Sequence, residues 1–250
     1  MCAKIPARIR PTQGFSHFVH ILFNVLLPII SYVLVRIDFV SVAIALVLLA
    51  KWRMFAVRPR YWLANSLSNG LDIIFSLSVI LFMANTAAGW WQIFWAIVYI
   101  LWLTVLKPRS DVLSVSGQAM IGQLAGLAAL YIKFGDASIA GLIAGTWLIT
   151  YVSARHFFTS FEEPHTALMA QIWAYFSACL AFILGHWLLF YGIIAQIIIL
   201  LTTIGYALAV LYYLSATERL NKLIQRQTLA IVSIIVIIVI VLSDWSGSTL

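Results

Sequence analysis

Apolar runs of about twenty residues recur from one end of this sequence to the other, separated by short polar or charged breaks. As a helix, each run is long enough to cross the roughly 30 Å of hydrocarbon in a bilayer. In that solvent every backbone N–H and C=O must find its partner within the fold, so only helices and closed barrels can span it. The period-two alternation of barrel strands is absent, which leaves helices. Composition agrees: of 250 residues, 64% are hydrophobic and 9% charged, with a mean hydropathy of +1.04, whereas a soluble domain is roughly half apolar.

The expected fold class is therefore all-α, a polytopic transmembrane helical bundle forming a single integral membrane domain over residues 1–250. Nine spans are expected at about 15–35, 38–55, 62–84, 88–106, 111–133, 137–155, 165–189, 192–214 and 226–243, after a basic tail at 1–14. A full-length span and no small-residue cleavage pattern follow the tail, which is read as a cytoplasmic tail and not a removable signal. Cys2 and Cys179 can form neither a disulfide framework nor a CxxC metal site, and no cofactor or metal is expected.

Assigning the breaks alternately to two sides puts thirteen of the fifteen basic residues on one of them, with only Arg36 and Lys133 opposite. This is the positive-inside pattern: N-terminus cytoplasmic, C-terminus outside, in a plasma or inner membrane. The net charge of +7 is then a topology signal, and its dispersal among loops argues against nucleic acid as a partner. The second span is the weakest, because its apolar run "FVSVAIALVLLA" is short and needs Lys51 and Arg53 to snorkel. A long inside loop followed by a tight hairpin occurs in both halves, as parallel four-helix repeats would show, although residue identity is lacking.

Small residues at four-residue spacing in the fifth and sixth spans, Gly122 with Gly126 and Gly141 with Gly145, predict close backbone approach and a packed antiparallel pair. The ninth span, nearly all branched aliphatic, is expected at the lipid-facing periphery.

The chemistry-bearing feature is a polar stripe in the third span. At 100° per residue, Asn65, Ser68, Asn69, Asp72 and Ser76 fall within about 100° of one another. Counted from Trp62, Asp72 lies about 15 Å deep, where an ionised carboxylate costs about 2.5–3.5 kcal/mol. Every basic residue sits in a loop or at a span end, so no salt bridge to Asp72 is expected. Asp72 is then protonated and bonded to a neighbour such as Gln118 or Gln123, or faces a wet cavity, or binds a cation with Asn65, Asn69 and serines. His186 and Gln196 flank the "FYG" turn and are expected to meet near the outer surface.

Enzyme signatures are sparse. HExxH, Walker A and GxGxxG are missing, one intramembrane aspartate cannot supply a carboxylate dyad, and no lysine lies deep in a late span. No catalytic residue is assigned, and the balance leans away from an enzyme. The function expected is a small-solute or cation-linked carrier or channel, in contact with the lipid bilayer, whose pathway uses Asn65, Ser68, Asn69, Asp72, Ser76, Gln118 and Gln123. The alternatives are a membrane-embedded enzyme acting on a lipid-linked or phosphorylated substrate through Arg58, Arg60, Arg155, His156 and Glu163 at the cytoplasmic face, or a non-catalytic accessory subunit.

Overall fold

A computed structural model describes residues 15–56, 58–185, 190–191 and 194–244. These residues are nearly all helical: α1 Phe15–Arg36, α2 Val40–Ala50, α3 Trp62–Ala84, α4 Gly89–Leu101, α5 Val112–Phe134, α6 Ile139–Thr159, α7 Thr166–Gly185, α8 Gln196–Ala216 and α9 Lys222–Leu242. Among the described residues, six helices are long and apolar enough to cross a membrane: α3, α4 with its extension to Leu106, α5, α7, α8 and α9. The chain reads as a multi-pass membrane protein on this basis.

Local chemistry sets the helix boundaries. Asp111, Ser138 and Asn221 cap α5, α6 and α9 by accepting the backbone N–H of Ser114, Gly141 and Ile224. The two hydrogen bonds from Ser114 hold the Asp111 carboxyl below the ordinary carboxylate range. The chain leaves α1, α6 and α8 through Asp38, Glu162 and Glu218, all with positive φ, the left-handed turn that ends many helices.

One helix overlaps each expected interval, with α6 running on to Thr159 and α9 beginning at Lys222, but α2 is far shorter than the interval 38–55. It stops at Ala50, and Trp52–Met54 turns off as a 3₁₀ segment. At 1.5 Å per residue its eleven residues cover only about 16 Å. The tail at 1–14, His186 and the junction at 186–189 and 192–193 lie outside the described residues, while Gln196 is buried at the start of α8.

Two apolar cores form. One gathers residues from α1 to α4, including Val47, Phe75, Ile80, Met83, Tyr99 and Trp102. The other is built from α5 to α8 around Leu127, Leu142, Ile149, Ile198 and Leu201. Helices α3 and α5 join them. A Cβ on Gly126 would stand 2.6 Å from Ile74 on α3 and 2.8 Å from Ile149 on α6, and one on Gly122 would collide with Leu71 of α3. Gly122 therefore serves the α3 interface, not an α5–α6 seam. In α6, a Cβ on Gly145 would stand 2.9 Å from Leu130 of α5, whereas one on Gly141 would have only its own cap, Ser138, within 4 Å. Helix α9 lies against α8 with Val239 as its one buried residue.

Candidate functional site

The third-span stripe divides at its middle. Towards the start of α3, Asn65 donates to Met54 O at 3.4 Å, Asn69 donates to Asn65 O at 2.9 Å, and Ser68 donates to the same carbonyl at 3.0 Å. These groups are local and partly open. Deeper, Asp72 and Ser76 are buried, and the Ser76 hydroxyl donates to Asp72 O at 2.6 Å.

The Asp72 carboxylate is not alone. Its Oδ2 accepts hydrogen bonds from both Lys51 and Lys107, and its Oδ1 accepts the Trp102 indole N–H at 2.9 Å. The expectation of a carboxylate without a basic partner is thus corrected. Lysines just beyond the ends of two helices reach it because those helices are short: α2 ends one residue before Lys51, and the run through Leu106 ends one residue before Lys107. Both helix ends come level with the middle of α3. A lysine stem of four methylenes covers the remaining distance along apolar surface.

The end of α4 is specialised. Residues Trp102–Leu106 form a π-helical turn, with Lys107 N donating to Trp102 O at 2.8 Å. Such a turn carries one extra residue and shifts the angular position of everything after it, a distortion frequent at functional sites. Here it lets Trp102 and Lys107 address the same carboxylate. Trp102 is clamped against Phe75, their rings stacked at 3.8 Å and 14°, a contact worth roughly 0.5–1.5 kcal/mol beyond its burial.

Gln118 and Gln123 do not touch Asp72. The Gln118 amide donates to Leu106 O at 2.7 Å, which also accepts from Arg109 N, and to Arg109 O at 3.2 Å, just past the π turn. Its Oε1 meets His156 Nε2 at 3.2 Å. Gln123 accepts from the Trp173 indole at 3.0 Å and donates to Leu201 O at 3.4 Å. Each glutamine ties helices together.

These bonds join the ends of α2, α4 and α6 to the first halves of α3 and α5, so the loops after α2, α4 and α6 share one face of the bundle. The residues set aside for an enzyme have separate engagements there. Arg155 donates to Tyr151 at 2.9 Å, His156 faces Gln118, Arg60 lies over the Tyr61 ring at 4.6 Å, and Glu163 accepts from Tyr212 at 2.5 Å. Among the described residues, no hydrogen bond or ion pair joins any two of Arg58, Arg60, Arg155, His156 and Glu163.

Chemically, the centre is one carboxylate shared by two ammonium groups, with a surplus of one positive charge. Asp72 is 7% exposed, and the side chains of Lys51 and Lys107 are 10% and 40% exposed, so one lysine is sealed in and the other is reachable. Among the described residues, no group of three or more His, Cys, Asp or Glu residues could hold a metal ion. Sequence reasoning missed Lys51, Lys107 and Trp102; the available signal was the pair of apolar runs "ALVLLAK" and "LTVLK", each ending in lysine. No protein-family model, curated protein or solved structure matches the chain.

Proposed function

We propose that the chain is a multi-pass carrier for a small anionic solute, with Lys51, Asp72 and Lys107 as a charged clasp on its cytoplasmic side. The observation that supports this reading is the imbalance of the clasp: two ammonium groups share one carboxylate, and the side chain of one of them, Lys107, is 40% exposed. A carboxylate or phosphate entering there would supply the missing negative charge and draw Lys107 away from Asp72. Since the clasp ties the ends of α2 and α4 to α3, its exchange of partners couples solute binding to separation of those helices. Asn65, Ser68 and Asn69 line the approach.

A cation-binding role for Asp72 fits the geometry less well. Both carboxylate oxygens already accept from lysine or indole N–H groups, and a metal ion would have to displace ammonium groups while adding positive charge. The enzyme reading loses support because its arginine, histidine and glutamate residues point to separate partners.

The reading includes nine spans in one membrane domain, with the N-terminus and basic loops in the cytoplasm and the C-terminus outside. The lipid bilayer is its partner, and its dispersed basic residues form no nucleic-acid surface. Helix α2 covers only part of the second span, and its short length is what brings Lys51 to Asp72.

The test is tracer exchange into proteoliposomes, using inorganic phosphate and a set of short-chain carboxylates as probes. Exchange of at least one anion, lowered tenfold or more by Lys107→Gln in protein that keeps its helical content, is the expected outcome. Equal exchange in both proteins, or none for any anion, would reject the carrier and leave the clasp as a structural tie.

A further inference from the structure

The clasp is tied to a histidine on α6. Gln118 donates through Nε2 to Leu106 O at 2.7 Å and to Arg109 O at 3.2 Å, carbonyls on either side of Lys107. With Nε2 so committed, Oε1 is the atom that faces His156 Nε2 at 3.2 Å; the reverse orientation would set Oε1 against two carbonyl oxygens. A carboxamide oxygen only accepts, so Nε2 of His156 carries a hydrogen whether the ring is neutral or charged. That leaves Nδ1 as the nitrogen that takes up or releases a proton. Among the described residues, no hydrogen bond to Nδ1 is formed.

The ring lies within the field of the clasp. Helix α6 packs against α7, α5 and α3, while α7 barely touches α8. Helices α3 and α6 meet closely at Gly70 and Val152, where a Cβ on the glycine would stand 2.9 Å from the valine. Gly70 lies two residues before Asp72, and Val152 about one turn before His156. The Asp72 carboxylate exerts a Coulomb pull on the imidazole. Other charged groups on these elements are engaged or open to solvent. Lys51 and Lys107 are bound to Asp72, Arg155 to Tyr151 and Glu163 to Tyr212. Arg109, Asp111, Glu162 and His165 are exposed, and α7 carries no Lys, Arg, Asp, Glu or His.

While both lysines hold Asp72, its charge is more than neutralised, and little of its field is left to favour a proton on the ring. Withdrawal of Lys107 leaves Asp72 with Lys51 alone, and the pull on the imidazole grows. Resting on the carrier reading, we propose that His156 is the proton site of the clasp: an anion that draws Lys107 from Asp72 brings a proton from solvent onto His156 Nδ1, so the anion enters with a proton. Linkage makes the coupling reciprocal. A proton on Nδ1 strengthens anion binding, and the hold weakens as pH rises through the range in which histidine titrates, about pH 5 to 8. Gln118 is a positioning residue, since it fixes at once the ring nitrogen and the backbone around Lys107.

The test is the titration of His156 by nitrogen NMR in the full-length protein, labelled at its five histidines and held in lipid nanodiscs, with His156→Gln identifying the signal. The neutral ring is expected to carry its hydrogen on Nε2 and to protonate at Nδ1. Lys107→Gln reproduces the withdrawal of Lys107 and leaves a neutral Lys51–Asp72 pair. It is expected to raise the proton affinity of His156 roughly three- to tenfold. Arg109→Gln removes an exposed charge from the same loop and is expected to change that affinity by less than about twofold. Gln118→Leu is expected to release the ring, giving both neutral tautomers. A neutral ring with its hydrogen on Nδ1, a midpoint unmoved by Lys107→Gln, or equal effects of Lys107→Gln and Arg109→Gln would overturn the proposal. None of these readouts needs a transported solute, so absence of tracer exchange counts against the carrier, whereas an unmoved midpoint beside active exchange counts against the proton site alone.

Discussion

At the scale of single residues, charge balance around Asp72 decides what each substitution does. Asp72→Asn removes the only negative charge of the clasp and leaves Lys51 and Lys107 facing one another, one of them sealed from water. Removing one partner of a buried pair costs about 3–5 kcal/mol, because the other charge stays uncompensated. Lys51→Met instead leaves a neutral Asp72–Lys107 pair and keeps the apolar stem. The expected order of thermal stability in detergent is therefore Lys51→Met above Asp72→Asn, with the double variant recovering part of the loss. Equal losses for both single variants would show that charge balance does not govern the site. Asp72 itself was legible in the sequence, since an acid in an apolar run stands out. Its partners were not, because lysines that follow helices read as loop residues unless the helix ends are known to within one turn. The π turn that swings Lys107 inward has no sequence signal of its own.

At the scale of helices, the small-residue pattern marked close packing but did not say which neighbour approaches. Glycines spaced by four lie on one side of a helix, and only the assembled bundle shows that Gly122 meets α3, that Gly126 meets both α3 and α6, and that Gly117 meets nothing within 4 Å. Alanine substitution separates these cases. At Gly126 a new methyl would press on the branched side chains of Ile74 and Ile149, which have little rotamer freedom to retreat. Overpacking of this kind costs about 1–3 kcal/mol. At Gly117 the methyl meets open space, and the better helix propensity of alanine adds up to about 1 kcal/mol of stability. Thermal unfolding of the two variants should thus move in opposite directions; a gain from Gly126→Ala would mean that the α3–α5–α6 contact is looser than drawn.

At the scale of the molecule, the apolar rhythm of the sequence was enough to announce a helical bundle, six of whose helices among the described residues are long and apolar enough to cross a membrane, because a helix in lipid needs only length and hydrophobicity to form. It did not reveal how far α2 falls short of a full crossing, nor that α7 and α8 would splay, since both follow from packing between segments distant in sequence. The two cores, one built from α1–α4 and one from α5–α8, give the bundle two halves joined through α3 and α5. The proposed orientation makes the last prediction. Single cysteines introduced at Arg60, Arg109 and Arg219, with Cys2 and Cys179 replaced, are expected to resist a membrane-impermeant maleimide in intact cells and to react after permeabilisation. A cysteine at Asp136, between α5 and α6, is expected to react in both. The α2 segment is the critical step in this alternation, because a helix of eleven residues crosses only if the chain beside it continues to the surface. Were it to re-enter the same side, Arg60 and the tail before α1 would lie on opposite faces, so a further cysteine at Lys4 is informative. Protection at both Lys4 and Arg60 places an even number of crossings between them and requires α2 to traverse. Labelling at Lys4 with protection at Arg60 would make α2 a re-entrant hairpin arm, and would leave Lys51 reaching Asp72 from a segment that never leaves the cytoplasmic half of the bilayer.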